Sequence, residues 1–156
     1  MTESKEITLD SVLTENCINL DLKAKTKHEV LCVLTDMLYA EGRITSKAQF
    51  LEDVYLREKE GVTGVGGGVA IPHGRSASVL KSSIAIGRCR EPVEWETLDE
   101  VPIRYIILFA VKDTDFSQHI ALLSSVATAL CEDEVLEQVF RTDDKTETIN
   151  IFKEWR

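Results

Sequence analysis

The residues best suited to chemistry lie together in "GVTGVGGGVAIPHGRS", positions 61–76. Five glycines fall within eight residues, a short apolar run follows, and Pro72-His73-Gly74 comes next. An imidazole with proline on one side and bare backbone on the other is held stiffly, with one ring nitrogen aimed outward. That arrangement suits a nucleophile or a proton carrier. Glycine N–H groups nearby can approach an anion closely. A tight turn, in which glycine supplies positive φ and the histidine is incidental, is the bland alternative. On these residues alone both readings stand.

Other glycine-rich devices are excluded by order and composition. A P-loop needs Gly-Lys-Ser/Thr after its glycines to hold phosphates and Mg²⁺, and here Val69-Ala70 stands in that place. A dinucleotide fingerprint runs strand, glycines, helix, whereas a helical pattern precedes these glycines and a strand pattern follows them. The three histidines, His28, His73 and His119, are not paired at helical spacing, and the four cysteines form no CxxC. No metal site and no cofactor are therefore expected. The cysteines read as reduced thiols in a reducing compartment. Cys89 lies between Arg88 and Arg90, but strand alternation points both arginines to the opposite face, so an activated thiolate is not expected.

Two further side chains could join His73. His119 falls in the first turn of a helix for which Asp115 and Gln118 form a capping box. At 100° per residue it shares a face with Phe116, Leu123, Val126 and Leu130. It is either a satisfied core histidine or a group at a helix N-terminus, where an anion is best stabilised. Arg57 occupies the last turn of the helix before the glycines. It either complements the C-terminal dipole of that helix or serves the turn that presents His73. His28 reads as a surface residue without a role.

These residues must be positioned by a compact set of elements. "CINLDL" (17–22) reads as a first strand. "KTKHEVLCVLTDMLYAEG" has helical spacing, with Gly42 placed to end it. Ser46 can cap a second helix, "KAQFLEDVYLREKE". "SSIAIGRCR" (82–90) alternates as a strand, with Ser83, Ala85, Gly87 and Cys89 forming a small face for close packing. "IRYIILFAV" (103–111) is nearly continuously apolar, as a central strand covered on both faces must be. Residues 115–132 form an amphipathic helix, and segments near 133–141 and 145–155 are helical. Alternating strands and helices predict an α/β fold: one mixed, mostly parallel sheet of about five strands with helices on both faces. The 156 residues suit a single domain, 1–156, around one sheet.

The formal net charge of −9 argues against nucleic acid and against an anionic membrane surface, and permits a basic protein partner. No apolar run is long enough to insert in a bilayer, and "MTESKEITLD" lacks the basic and apolar regions of a signal peptide. The cytoplasm is the expected location.

"REKEGVTGVGGGVAIPHG" closely resembles the active-site signature of the type-2, fructose/mannitol-class IIA domains of the bacterial phosphoenolpyruvate-dependent sugar phosphotransferase system. That pattern runs acid or amide, six residues, apolar, Gly or Ala, two residues, apolar, Ala, apolar, Pro, His, Gly. Glu58, Val65, Gly66, Val69, Ala70, Ile71, Pro72, His73 and Gly74 satisfy every constrained position. The resemblance extends over essentially the whole chain. It implies that His73 accepts a phosphoryl group from phospho-HPr and passes it to a cysteine of a IIB domain, with IIC in the membrane. It maps the family's second active-site histidine to His119 and its active-site arginine to Arg57. Position 67 is Gly where relatives often carry a side chain. The implied protein is a free-standing IIA phosphocarrier of the fructose kind that needs no metal and no cofactor. The family also includes nitrogen-regulatory paralogues that act as phosphorylation-dependent binding switches, and the "EPVEWETLD" loop looks more like that of the transport members.

Overall fold

The computed structural model describes residues 9–154, and the side chains of Asp10, Asp115, Phe116, Gln118 and His119 lie outside that description. A short helix, α1 (Leu9–Val12), leads to strand β1 (Ile18–Leu22) and then to helices α2 (Lys27–Ala40) and α3 (Lys47–Glu58). The Thr26 and Ser46 hydroxyls accept from the Glu29 and Gln49 N–H groups and so cap α2 and α3. Gly42, at φ +69°, follows the end of α2 as its sequence position suggests. Three short strands come next: β2 (Gly64–Gly66), β3 (Val69–Ala70) and β4 (His73–Ser76). Two long strands, β5 (Ser83–Val93) and β6 (Ile103–Lys112), precede helices α4 (Phe116–Ala129), α5 (Asp133–Arg141) and α6 (Lys145–Glu154).

The strands form one mixed sheet in the order β1-β5-β6-β3-β2, with β4 also beside β6. β1 runs parallel to β5, and β3 and β4 run parallel to β6, while β5–β6 and β2–β3 are antiparallel. β3 and β4 are one strand with a break at Ile71-Pro72. Val69 lies opposite Tyr105 and His73 opposite Phe109, so the register continues through the break. Pro72 has no N–H to give, yet its carbonyl still accepts from the Phe109 N–H at 2.9 Å.

β6 explains its own composition. Ile106, Leu108 and Ala110 face one core with Leu31, Leu34 and Phe50 of α2 and α3. Tyr105, Ile107, Phe109 and Val111 face a second core with Val126, Val139 and Phe152 of α4, α5 and α6. From Ile106 to Val111, where both faces are buried, every side chain is apolar. The small face of β5 behaves as its spacing predicts: Ala85 and Cys89 join the α2–α3 core, and Gly87 lies against Leu22 and Leu34. Arg88, on the other face, is buried and donates to the carbonyls of Leu20, Phe140 and Thr142.

Candidate functional site

His73 opens β4, and strand alternation decides what surrounds it. Val69 and Ile71 belong to the α4–α6 core and Ala70 to the α2–α3 core. His73 and Arg75 continue the first series and Gly74 the second. Gly74 faces α3. A methyl group there would sit 2.8 Å from Val54 Cγ2 and 3.1 Å from Phe50 Cε1. The missing side chain lets α3 lie directly on β4, and so brings the last turn of α3 to the histidine.

Arg57 is in that turn. Its Nε–H donates to His73 Nε2 at 3.1 Å, and its Nη1 donates to the Gly61 carbonyl at 3.3 Å. A guanidinium has no lone pair to offer, so Nε2 must be the acceptor and the neutral ring carries its proton on Nδ1. Nδ1 is buried without a hydrogen bond among the described residues, although the adjacent Ile71 carbonyl favours a proton on the ring. Burial, then the Arg57 charge, outweigh that influence and hold the imidazole below its ordinary pKa of 6.5. At neutral pH the ring is therefore uncharged, with a lone pair on Nε2 that faces an arginine.

This nitrogen borders an open depression of about 350 Å³ lined by Asp53, Leu56, Arg57, Glu60, His73 and Arg75. Arg75 is a site residue that sequence reasoning passed over. The available signal was its i+2 spacing from His73, which puts both on one face of the strand. Its Nε donates to Asp113 Oδ1 at 2.8 Å. Directly behind Arg57, Glu58 is nearly buried, with 6% of its side chain exposed, and pairs with Lys27 Nζ at 2.6 Å. Lys27 also reaches Glu96 at 2.8 Å and lies 4.8 Å over the Trp95 ring.

The structure brings Arg57 and His73 into contact. His119 lies in the first turn of α4, which starts just beyond the β6 residues paired with Arg75 and Ser76. The helix start is thus at the same end of the sheet as His73. The His119 side chain, and the capping box of Asp115 and Gln118, lie outside the described residues. His28 is exposed on α2, and its Nδ1 lies 2.6 Å from the Tyr55 hydroxyl. Cys89 is buried, and that burial pushes its thiol up to about 11.

The glycines do something other than line the histidine. Gly67 and Gly68 make the two-residue turn between β2 and β3, at φ +66° and +83°. A turn of this kind needs positive φ at both positions. The Gly67 N–H donates to Asp99 Oδ2, and the Gly68 carbonyl accepts from Arg104 and Tyr105 at the start of β6. His73 lies five residues beyond Gly68, roughly 16 Å away at the usual rise. Gly67 and Gly68 therefore place no amide beside the imidazole. The turn closes a hairpin at the opposite end of β3.

Among the described residues no helix is long and apolar enough to cross a membrane, and no three His, Cys, Asp or Glu side chains are grouped to hold a metal ion.

Residues 11–155 match the family model described as "Phosphoenolpyruvate-dependent sugar phosphotransferase system, EIIA 2". The chain is 29% identical over 133 residues to the PTS system fructose-like EIIA component of Escherichia coli strain K12, covering 85% of this chain and 90% of that protein. It is 29% identical over 146 residues to the PTS system fructose-specific EIIABC component of Bacillus subtilis strain 168. That match covers 94% of this chain but only 23% of the larger protein. Among solved structures, the nitrogen regulatory protein IIA-Ntr of Neisseria meningitidis superposes with a TM-score of 0.85 at 31% identity, over 90% of this chain and 96% of that one.

Proposed function

The chain belongs to the EIIA 2 family of the phosphoenolpyruvate-dependent sugar phosphotransferase system, and from that membership we propose that His73 is its phosphoryl carrier. The observation that carries the proposal is the Nε2 lone pair of a neutral, partly buried imidazole, held against Arg57. Nε2 attacks the phosphorus of phospho-HPr. The P–N bond to the donor imidazole breaks as the P–Nε2 bond forms, and no proton has to leave Nε2. A cysteine thiolate of a IIB domain then takes the group, forming a P–S bond as P–Nε2 breaks. Neither step needs a metal ion, because donor and acceptor differ little in energy and the protein supplies position and charge.

Arg57 is the first of the charge-bearing groups. Once Nε2 is phosphorylated its lone pair is no longer available, and the guanidinium is left beside the new phosphoryl oxygens. His119 is proposed as a second donor to those oxygens, from the first turn of α4. The reaction so described belongs to the cytoplasm. The relatives named for fructose support a fructose-type transporter as the destination.

A regulatory reading has its own support in the likeness to the Neisseria IIA-Ntr protein. In that reading His73 is phosphorylated in the same way, and the output is a change in affinity for another protein. Incubation with phosphoenolpyruvate, enzyme I and HPr tests the shared step: acid-labile label should appear on the wild-type protein and vanish in His73→Ala. Persistent label on His73→Ala would sink the proposal. Transfer onward to a IIB domain supports transport. Retention of label, with phosphorylation-dependent capture of a different partner, supports regulation.

A further inference from the structure

We propose that Arg75 is a second phosphoryl-binding arginine of this site, held on Asp113 until His73 is phosphorylated. The inference rests on the phosphocarrier reading and adds to it a residue and a change of partner.

His73 and Arg75 are two apart on β4, on one face, with Cα atoms about 6.6 Å apart at the usual strand rise. Both line the same open depression. A guanidinium on its three-carbon stem spans that separation. Arg75 is half exposed, with 52% of its side chain accessible to solvent.

Charge makes the need for it plain. The depression is bordered by two guanidinium groups, Arg57 and Arg75, and two carboxylates, Asp53 and Glu60. These four cancel. A phosphoryl group on Nε2 adds nearly two negative charges, about −1.5 to −2 at neutral pH. Arg57 alone would meet a dianion with two carboxylates still beside it. A second cation at the imidazole reduces that repulsion, and Arg75 is the one that shares the face.

Asp113 is what Arg75 leaves. The pair joins β4 to the turn that follows β6, 2.8 Å between Nε and Oδ1, and both side chains are more than half exposed. Such a pair is weak, worth roughly 0–1 kcal/mol, so a nearby dianion competes for the guanidinium on favourable terms. Asp113 is also the first residue of the turn leading into α4. Release of its partner therefore marks the phosphorylated state at the start of the helix that carries His119.

The test is the phosphoryl-exchange equilibrium between phospho-HPr and the full-length chain, read as the distribution of label between the two proteins. Arg75→Gln should shift it toward HPr by about three- to tenfold, the range expected for losing one charged hydrogen bond at a half-exposed site. Asp113→Asn should shift it the other way by about two- to fivefold, because the carboxylate that competes with the phosphoryl group for Arg75 is gone. In the Arg75→Gln background, Asp113→Asn should have no effect. An unmoved equilibrium in Arg75→Gln would overturn the inference. So would an Asp113→Asn shift that persists in that background, since it would reflect one fewer negative charge and not the release of Arg75. Failure of the wild-type protein to take label at all would instead remove the phosphocarrier reading on which this rests.

Discussion

The Nε–H of Arg57 donates to Nε2 of His73 across 3.1 Å, joining the last turn of α3 to the first residue of β4. The contact settles the tautomer of the neutral ring and lowers its affinity for a second proton. In Arg57→Gln the cationic neighbour is gone while an amide donor remains. The His73 pKa should rise toward 6.5 without reaching it, because burial, the larger cause, is unchanged. Phosphorylation by phospho-HPr should slow by about a hundredfold, the lower end of the range seen when a charge-stabilising donor is removed. Ring-proton NMR titration and a labelling time course measure the two effects. An unshifted pKa would show that the Arg57 charge does not reach the imidazole.

The pH dependence of the wild-type protein follows from the same depression. If the proposed nucleophile is the neutral His73 ring, the rate of labelling should rise with pH and level off below 6.5, not above it. Stability has the matching sign. The unfolded chain takes up a proton on His73 at a higher pH than the folded chain does. The contribution of this residue is therefore fully present above about 6.5 and falls away as pH drops through the lowered folded value. In His73→Gln that part of the acid sensitivity should disappear. Urea midpoints measured from pH 5 to pH 7.5 would show it as a flatter pH dependence in the variant.

Gly74 sets the distance between Arg57 and His73. A Cβ in Gly74→Ala meets Val54 Cγ2 at 2.8 Å and Phe50 Cε1 at 3.1 Å, both on side chains fully buried in the α2–α3 core. α3 must move off the strand, and overpacking of this kind costs about 1–3 kcal/mol. The expected outcome is a lowered melting temperature together with a His73 pKa that moves toward that of Arg57→Gln. Loss of stability with an unchanged pKa would mean that the two elements separate without disturbing the pair.

Much of this arrangement was legible beforehand, for local reasons. Alternation exposed β5, continuous apolarity exposed β6, and Gly42 and Ser46 marked helix ends because a side chain, or the lack of one, acts on the nearest turn. Pro72 and Gly74 marked His73 in the same way, and Arg57 was visible as a cation in the last turn before the glycines. The β2–β3 hairpin was hidden because Gly66, Gly67 and Gly68 carry no side chains and so no alternation. Arg75 was hidden because a lone arginine after a glycine reads as a solvated charge until the strand that aligns it with His73 is known. Lys27 and Glu58 belong to different helices, and no local pattern joins them.

That last pair leads to a prediction about what holds α3 in place. Glu58 Oε1 meets Lys27 Nζ at 2.6 Å, while its Oε2 is buried without a partner among the described residues. Lys27 in turn ties Glu96, and with it the 94–102 loop, to the start of α2. In Lys27→Met the carboxylate keeps its burial and loses its only charged partner among the described residues. Removing one member of a buried pair is costly, here roughly 2–4 kcal/mol, since Lys27 itself retains some exposure. Adding Glu58→Gln removes the stranded charge, so the double variant should be more stable than Lys27→Met alone. Chemical denaturation of the two variants decides the matter. Equal midpoints would mean that the lost stability lies in the Glu96 contact or in the packing of Lys27 over Trp95. If the double variant is the more stable, the acidic position at the start of the glycine signature has a physical role. Paired with Lys27, it anchors the turn of α3 from which Arg57 reaches His73.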